Sequence, residues 1–252
     1  MAERITGRSN PLMKRIRALA LSGEQRRREG CFLCDSPKLL EEALRWGAAL
    51  ETVVCTEPGE LPALPEGVRT VEVPRDVMES VSPMKSPQGV LFLCAMPRQE
   101  LPERLEGRRY VALDGVQDPG NVGTVLRTAD AFEADGVLLL PGCADPWAPK
   151  TVRASMGAIF RRPVWQCTAE ELGGLVKRSG LKLYGAALRD DTADARTVGY
   201  DGAVIAIGSE GRGLSETVLK LCDATVKIPM SRRCESLNAA AAAAILLWEA
   251  YR

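Results

Sequence analysis

Gly208, Gly211 and Gly213 fall within six residues, in the run Ala206-Ile207-Gly208-Ser209-Glu210-Gly211-Arg212-Gly213-Leu214-Ser215. An apolar strand over 203–207 runs into this loop, and a helix over 214–221 follows it. Without a Cβ, backbone here can approach a ligand closely. The spacing G-x-x-G-x-G is not the G-x-G-x-x-G of a dinucleotide site, and the Gly-Lys-Ser/Thr of a phosphate-cradling loop is absent, which disfavours a nucleotide-binding oxidoreductase. Glu210 offers a carboxylate to a ribose hydroxyl or an amine; its alternative is a solvated turn residue. A second candidate stretch spans 113–129. There a strand ends, Asp118-Pro119-Gly120 turns, and a helix begins near Asn121, whose free N–H groups suit an anion. Arg127 follows Asn121 by six residues, so helical spacing alone does not align the two. Taken alone they read as an N-cap and an exposed charge. The third stretch, Ile228-Pro229-Met230-Ser231-Arg232-Arg233-Cys234-Glu235-Ser236-Leu237-Asn238, leads into six alanines, 239–244. Ser236 or Asn238 can cap the helix that follows. The alanines permit close approach to another backbone or a second subunit, and also carry high helix propensity.

These stretches need a scaffold, and the sequence describes an α/β one. Strands over 110–113, 136–140, 182–187, 203–207 and 225–228 alternate with helices over 121–132, 148–158, 214–221 and 237–251. Val137-Leu138-Leu139-Leu140 and Ala203-Val204-Ile205-Ala206-Ile207 are continuously apolar, as a strand buried on both faces of a parallel sheet requires. In such sheets ligands sit beyond the carboxyl ends of the strands, where all three stretches fall. Upstream, helices over 10–21 and 36–46, the second capped by Ser36 with Pro37 in its first turn, mix with strands over 31–34, 52–55, 70–73 and 89–94. The proline-rich, charged run 97–107 marks a linker between domains 1–96 and 108–252.

Composition narrows the chemistry. The chain has 252 residues, 33 basic and 33 acidic, 46% apolar and 26% charged, as expected of a soluble globular protein. It contains no histidine. That excludes Ser-His-Asp and Cys-His nucleophile systems and any histidine metal site. The zero net charge hides a local surplus. Within residues 1–30 eight basic residues, Arg4, Arg8, Lys14, Arg15, Arg17, Arg26, Arg27 and Arg28, face three acidic ones. This reads equally as a phosphate-contacting strip or a solvated helix face. Cys31 and Cys34 have CxxC spacing, but no second pair completes a zinc site, and core packing is the expected role. No metal ligand set and no membrane-spanning run is visible, and unpatterned cysteines point to the reducing cytoplasm.

Together the three stretches resemble the SpoU/TrmH family of SPOUT RNA 2′-O-ribose methyltransferases. Its first motif is similar to Asp118-Pro119-Gly120-Asn121-Val122-Gly123 through Arg127-Thr128-Ala129, its second to 207–214, and its third to Ile228-Pro229-Met230 with Glu235-Ser236-Leu237-Asn238-Ala239. The run 153–161 resembles a segment between motifs. Residues 1–96 resemble, less specifically, an L30e-like RNA substrate-binding domain. The resemblance implies a parallel sheet with a deep trefoil knot, S-adenosylmethionine as cofactor, and a homodimer. It also implies 2′-O-methylation of a ribose in structured RNA, with ribosomal RNA favoured over transfer RNA and guanosine as the nucleoside. It implies that Asn121, Arg127, Glu210, Ser236 and Asn238 are catalytic, with Arg127 at the RNA phosphate and 2′-oxygen. Cofactor contacts fall on Gly208, Glu210, Gly211, Ile228, Met230, Ser236 and Leu237. Transfer RNA methylation and a non-catalytic dimeric RNA-binding role are the competing readings; intact polar motif residues disfavour the latter. The chain departs from the family pattern at Glu133 and Arg232, where Gly is common, at Cys234, where Val is common, and at 239–242, where alanines replace Val-Ser-Val-Ala.

Overall fold

A computed structural model describes residues 3–97, 100–189, 192–231, 233 and 236–252; Arg232, Cys234 and Glu235 lie outside the described residues. The N-terminal unit holds β1 (Glu3–Arg4), α1 (Pro11–Leu21), α2 (Gly23–Glu29), β2 (Cys31–Asp35), α3 (Pro37–Arg45), β3 (Leu50–Cys55), β4 (Arg69–Glu72), α4 (Arg75–Val81) and β5 (Val90–Ala95). Its sheet runs β1-β4-β3-β5-β2, with β5 antiparallel to both neighbours and the other pairs parallel. The Asn10 side chain accepts the Leu12 N–H at 2.8 Å and starts α1, which buries Leu12, Met13, Ile16 and Leu19 with Cys31, Leu33, Leu91 and Leu93. Ser36 caps α3 as expected, its hydroxyl accepting from the Leu39 N–H at 3.3 Å.

Side chains alternate along β2, so Phe32 faces away from Cys31 and Leu33. Its ring meets Trp147 at 4.8 Å and Phe160 at 6.3 Å. Those aromatics come from far along the chain. The N-terminal unit comprises Met1–Arg98 together with Trp147–Phe160, and the second unit comprises Gln99–Pro146 with Arg161–Arg252. The division expected at 97–107 therefore changes in two respects. Leu105 is buried in the second unit's core, and 147–160, expected in the second domain, group with the first. The physical reason is non-local. Besides the aromatic contacts, Arg153 grips the buried Asp35 carboxylate in a bidentate pair through Nε, at 3.1 Å, and Nη2. Charge-assisted pairs of this kind are among the stronger polar contacts.

The basic surplus near the N-terminus is largely spent inside the unit. Arg4 pairs with Glu72, Arg8 with Asp76, and Arg15 with Glu29 and Glu51. Arg17 donates to the carbonyls of Arg8 and Ser80, and Arg26 is buried against the Leu19 carbonyl.

The second unit holds β6 (Arg109–Asp114), α5 (Pro119–Ala131) and β7 (Gly136–Leu139), after which α6 (Pro149–Ala154) lies with the first unit. It continues with β8 (Val164–Gln166), α7 (Ala169–Ser179), β9 (Lys182–Ala186), β10 (Ala193–Asp194), β11 (Ala203–Gly208), α8 (Glu216–Leu221), β12 (Ala224–Lys227) and α9 (Ala239–Tyr251). Seven parallel strands run in the order β10-β12-β9-β11-β6-β7-β8. β7 is buried throughout and β11 everywhere except Gly208, as their unbroken apolar sequences require. Ala239, Ala240 and Ala243 are buried, and α9 lies against α5 and β11. The alanine run thus brings helix backbone close to its neighbours.

β8 and α7 escaped the sequence reading, although Thr168 and Glu171 form a complete capping box for α7. Gly173-Gly174 inside that helix dilutes the helical pattern. Among the described residues seven cysteines are free thiols. Burial pushes the Cys31 and Cys167 thiols up to about 12, so neither supplies a thiolate near neutral pH.

Glu133, one of the departures from the family pattern, has φ 53° just after the C-terminus of α5. A left-handed residue at this position favours glycine, and a side chain there costs about 1–2 kcal/mol. Glycine's greater unfolded-state freedom offsets about 0.5–1 kcal/mol of that. Glu133→Gly is therefore expected to stabilise the protein by roughly 0.5–1 kcal/mol, read as a raised melting temperature.

Candidate active site

β11 and β6 pair in register, Ile207 with Leu113 and Gly208 with Asp114, so their carboxyl ends lie side by side. Beyond β11 the loop folds back on itself. Ser209 donates its N–H to the Gly213 carbonyl at 3.1 Å, and Gly213 returns one to Ser209 at 2.9 Å. Gly213 adopts φ 67°, and a Cβ added at Gly208 would lie 2.0 Å from the Gly213 carbonyl carbon and 2.2 Å from the Leu214 nitrogen. The first and third glycines are thus required by the loop's own closure. The second, Gly211, has nothing within 4 Å of where a Cβ would lie. Asp114 ties the far side of the loop, accepting the Ser215 N–H at 2.7 Å.

Closure of the loop brings Glu210 to α5. That helix starts two residues earlier than expected, because Asp118 takes the N-cap and Pro119 the first helical position; the Asp118 carboxylate accepts the Asn121 N–H at 2.9 Å. Asn121 is therefore not the cap, and its side chain is available elsewhere. Its amide nitrogen donates to the Glu210 carboxylate, which as an acceptor fixes the amide's orientation. Its amide oxygen accepts from the Asn238 amide at 3.1 Å. Asn238 does cap α9, its oxygen accepting the N–H groups of Ala240 at 3.0 Å and Ala241 at 3.2 Å. A directional hydrogen-bond chain thus runs from the α9 N-terminus through Asn238 and Asn121 to Glu210, joining all three motif stretches.

Glu210 also lines a cavity of about 240 Å³. Gly208, Ile228, Met230, Ser236 and Leu237, all singled out from the sequence, line it too, whereas Gly211 does not. Leu188, at the loop after β9, and Gly213 line it and were not anticipated. The position of β9 next to β11 would have pointed to Leu188, since ligands gather at the carboxyl ends of adjacent strands. The lining is mainly apolar, with the Glu210 carboxylate and Ser236 hydroxyl among its polar groups, a composition suited to a planar base and a ribose. Arg127 stands apart on the exposed side of α5, and among the described residues it makes no hydrogen bond or ion pair.

Residues 108–248 match the model of the SpoU rRNA Methylase family. The chain belongs to the SpoU rRNA methylase family. Residues 10–91 of this SpoU family member also match the MRM3-like substrate binding domain. It is 31% identical, over 89% of its length and 90% of the relative's, to the Bacillus subtilis 23S rRNA (guanosine(2553)-2′-O)-methyltransferase. It is 32% identical, over its whole length and 92% of the relative's, to the Streptomyces viridochromogenes 23S rRNA (uridine(2479)-2′-O)-methyltransferase. The solved AdoMet-bound rRNA methyltransferase from Sinorhizobium meliloti superimposes with a TM-score of 0.89 at 32% identity, covering 99% of this chain and 97% of that one. As a SpoU family member the protein is an RNA methyltransferase with the SPOUT α/β fold.

Proposed function

We propose that this protein transfers a methyl group from S-adenosylmethionine to the 2′-hydroxyl of a ribose in ribosomal RNA, at a guanosine. The observation that carries the reading is the hydrogen-bonded chain Asn238–Asn121–Glu210 beside an apolar cavity bearing the Glu210 carboxylate. The cavity fits the cofactor. Leu188, Ile228, Met230 and Leu237 would flank the adenine and methionine portions, and Glu210 and Ser236 would meet the ribose and amino groups. When bound, S-adenosylmethionine supplies an electrophilic methyl group on a sulfonium.

The chain's residues position and stabilise. Arg127 would hold the substrate phosphate and the developing 2′-oxyanion. It does not remove the proton, because guanidinium stays charged in proteins. With no histidine in the chain, Glu210, water or the substrate's own phosphate receives that proton. Asn121 is held by Asn238 and in turn orients Glu210. Positioning of this kind supplies up to about 7–11 kcal/mol in favourable reactions.

The same reading includes a knotted backbone within 108–252 and a homodimer. Ile245, Trp248 and Tyr251 on α9 are 39%, 48% and 41% exposed, and Trp248 meets Phe132 edge to face at 5.5 Å, an apolar face suited to a second copy. Ribosomal RNA is favoured by both relatives' names; the two differ in nucleoside, guanosine in one and uridine in the other. Mapping 2′-O-methyl sites in RNA from cells lacking this protein tests the assignment. Loss of one methylated ribosomal guanosine is expected. Loss at a transfer RNA, or at no site, would overturn it.

A further inference from the structure

One turn beyond Arg127 on α5, Asp130 holds two arginines. Arg161 donates Nε–H to its carboxylate at 2.7 Å and Arg162 at 2.8 Å. The Arg162 side chain is 28% exposed, and among the described residues its Asp130 contact is its only hydrogen bond or ion pair. A guanidinium clamped through Nε keeps its terminal nitrogens as donors in a fixed plane, a geometry matched to phosphate oxygens. Residues three apart on a helix are neighbours, about 5–6 Å between Cβ atoms. The Arg162 fork therefore stands beside the turn that carries Arg127. Arg4, Arg8, Arg15, Arg17 and Arg26 are partnered within the N-terminal unit, and Arg108, Arg196 and Arg252 are paired with Asp201, Asp194 and Glu249.

We infer that Arg162, held by Asp130, grips an RNA phosphate other than the one assigned to Arg127. The ligand class is a phosphodiester of the substrate strand, so the inference rests on the RNA methyltransferase reading. Preorganisation is what Asp130 contributes: an arginine already fixed loses less rotamer entropy on binding.

The test uses the full-length protein and purified large-subunit ribosomal RNA. Binding is measured from 50 to 300 mM KCl, the range over which counterion release makes log K fall linearly with log salt, roughly one unit of slope per phosphate contact. For Arg162→Gln the slope is expected to become shallower by about one, with weaker binding throughout and unchanged affinity for S-adenosylmethionine by calorimetry. Arg162→Lys, which keeps the charge, should retain the slope and show that loss of fold is not the cause. A wild-type slope in Arg162→Gln, with Arg127→Gln shifting it, would overturn the inference while leaving the methyltransferase reading intact. Wild-type protein that binds S-adenosylmethionine but no RNA would overturn both.

Discussion

Arg127→Ala is expected to lower the rate of methyl transfer by about 10²–10³, the usual cost of removing one donor aimed at a developing oxyanion. Affinity for S-adenosylmethionine should not change, because Arg127 does not line the cavity. Stability should not fall either. The side chain is exposed in the interior of α5, and alanine is the best helix former. Arg127→Lys should recover only part of the rate, since a compact ammonium lacks the guanidinium fork. Single-turnover rates with RNA, alongside calorimetry with the cofactor, separate these effects. Equal rates for wild type and Arg127→Ala would remove Arg127 from the chemistry.

The second large effect concerns the glycine loop. Gly208→Ala places a methyl group 2.0 Å from backbone that is itself pinned by the Ser209–Gly213 hydrogen bonds. Backbone cannot give way as a flexible side chain can, so the loop must open. Overpacking of this kind costs about 1–3 kcal/mol. Because Gly208, Glu210 and Gly213 all line the cavity, the cost should appear as roughly a ten- to hundredfold rise in the Kd for S-adenosylmethionine. Gly211→Ala is the internal comparison: open space surrounds it and its φ is not in the left-handed region, so its Kd should stay near wild type. The two glycines are three residues apart and look alike in sequence, yet the fold gives them opposite tolerances.

That contrast shows where sequence reading reaches and where it stops. The unbroken apolar runs at β7 and β11 announced a parallel sheet, and three polar loops at strand ends announced the site. Type and spacing sufficed for this because a buried strand and a glycine turn are each encoded locally. Features set by distant partners were not legible. Asn121 looked like a cap until Asp118 and Pro119 were seen to hold that position, which frees its amide for Glu210. Residues 147–160 read as an ordinary part of the second domain. Their place in the first unit depends on Phe32 and Asp35, more than a hundred residues away. The ion pairs of the N-terminal arginines were not legible because their acidic partners Glu51, Glu72 and Asp76 come from later in the chain. Glu133 is the reverse case. A departure noticed in sequence acquired its physical meaning, a strained left-handed residue, once its φ was known.

The proposed reaction transfers a methyl group to a ribose oxygen. Its most direct test is incubation of the purified protein with methyl-labelled S-adenosylmethionine and unmodified large-subunit ribosomal RNA, followed by digestion to nucleosides and separation. Label is expected to co-migrate with a 2′-O-methylated nucleoside and to be lost in the Arg127→Ala protein. Label on a base rather than a ribose, or none on RNA while the cofactor is bound, would contradict it.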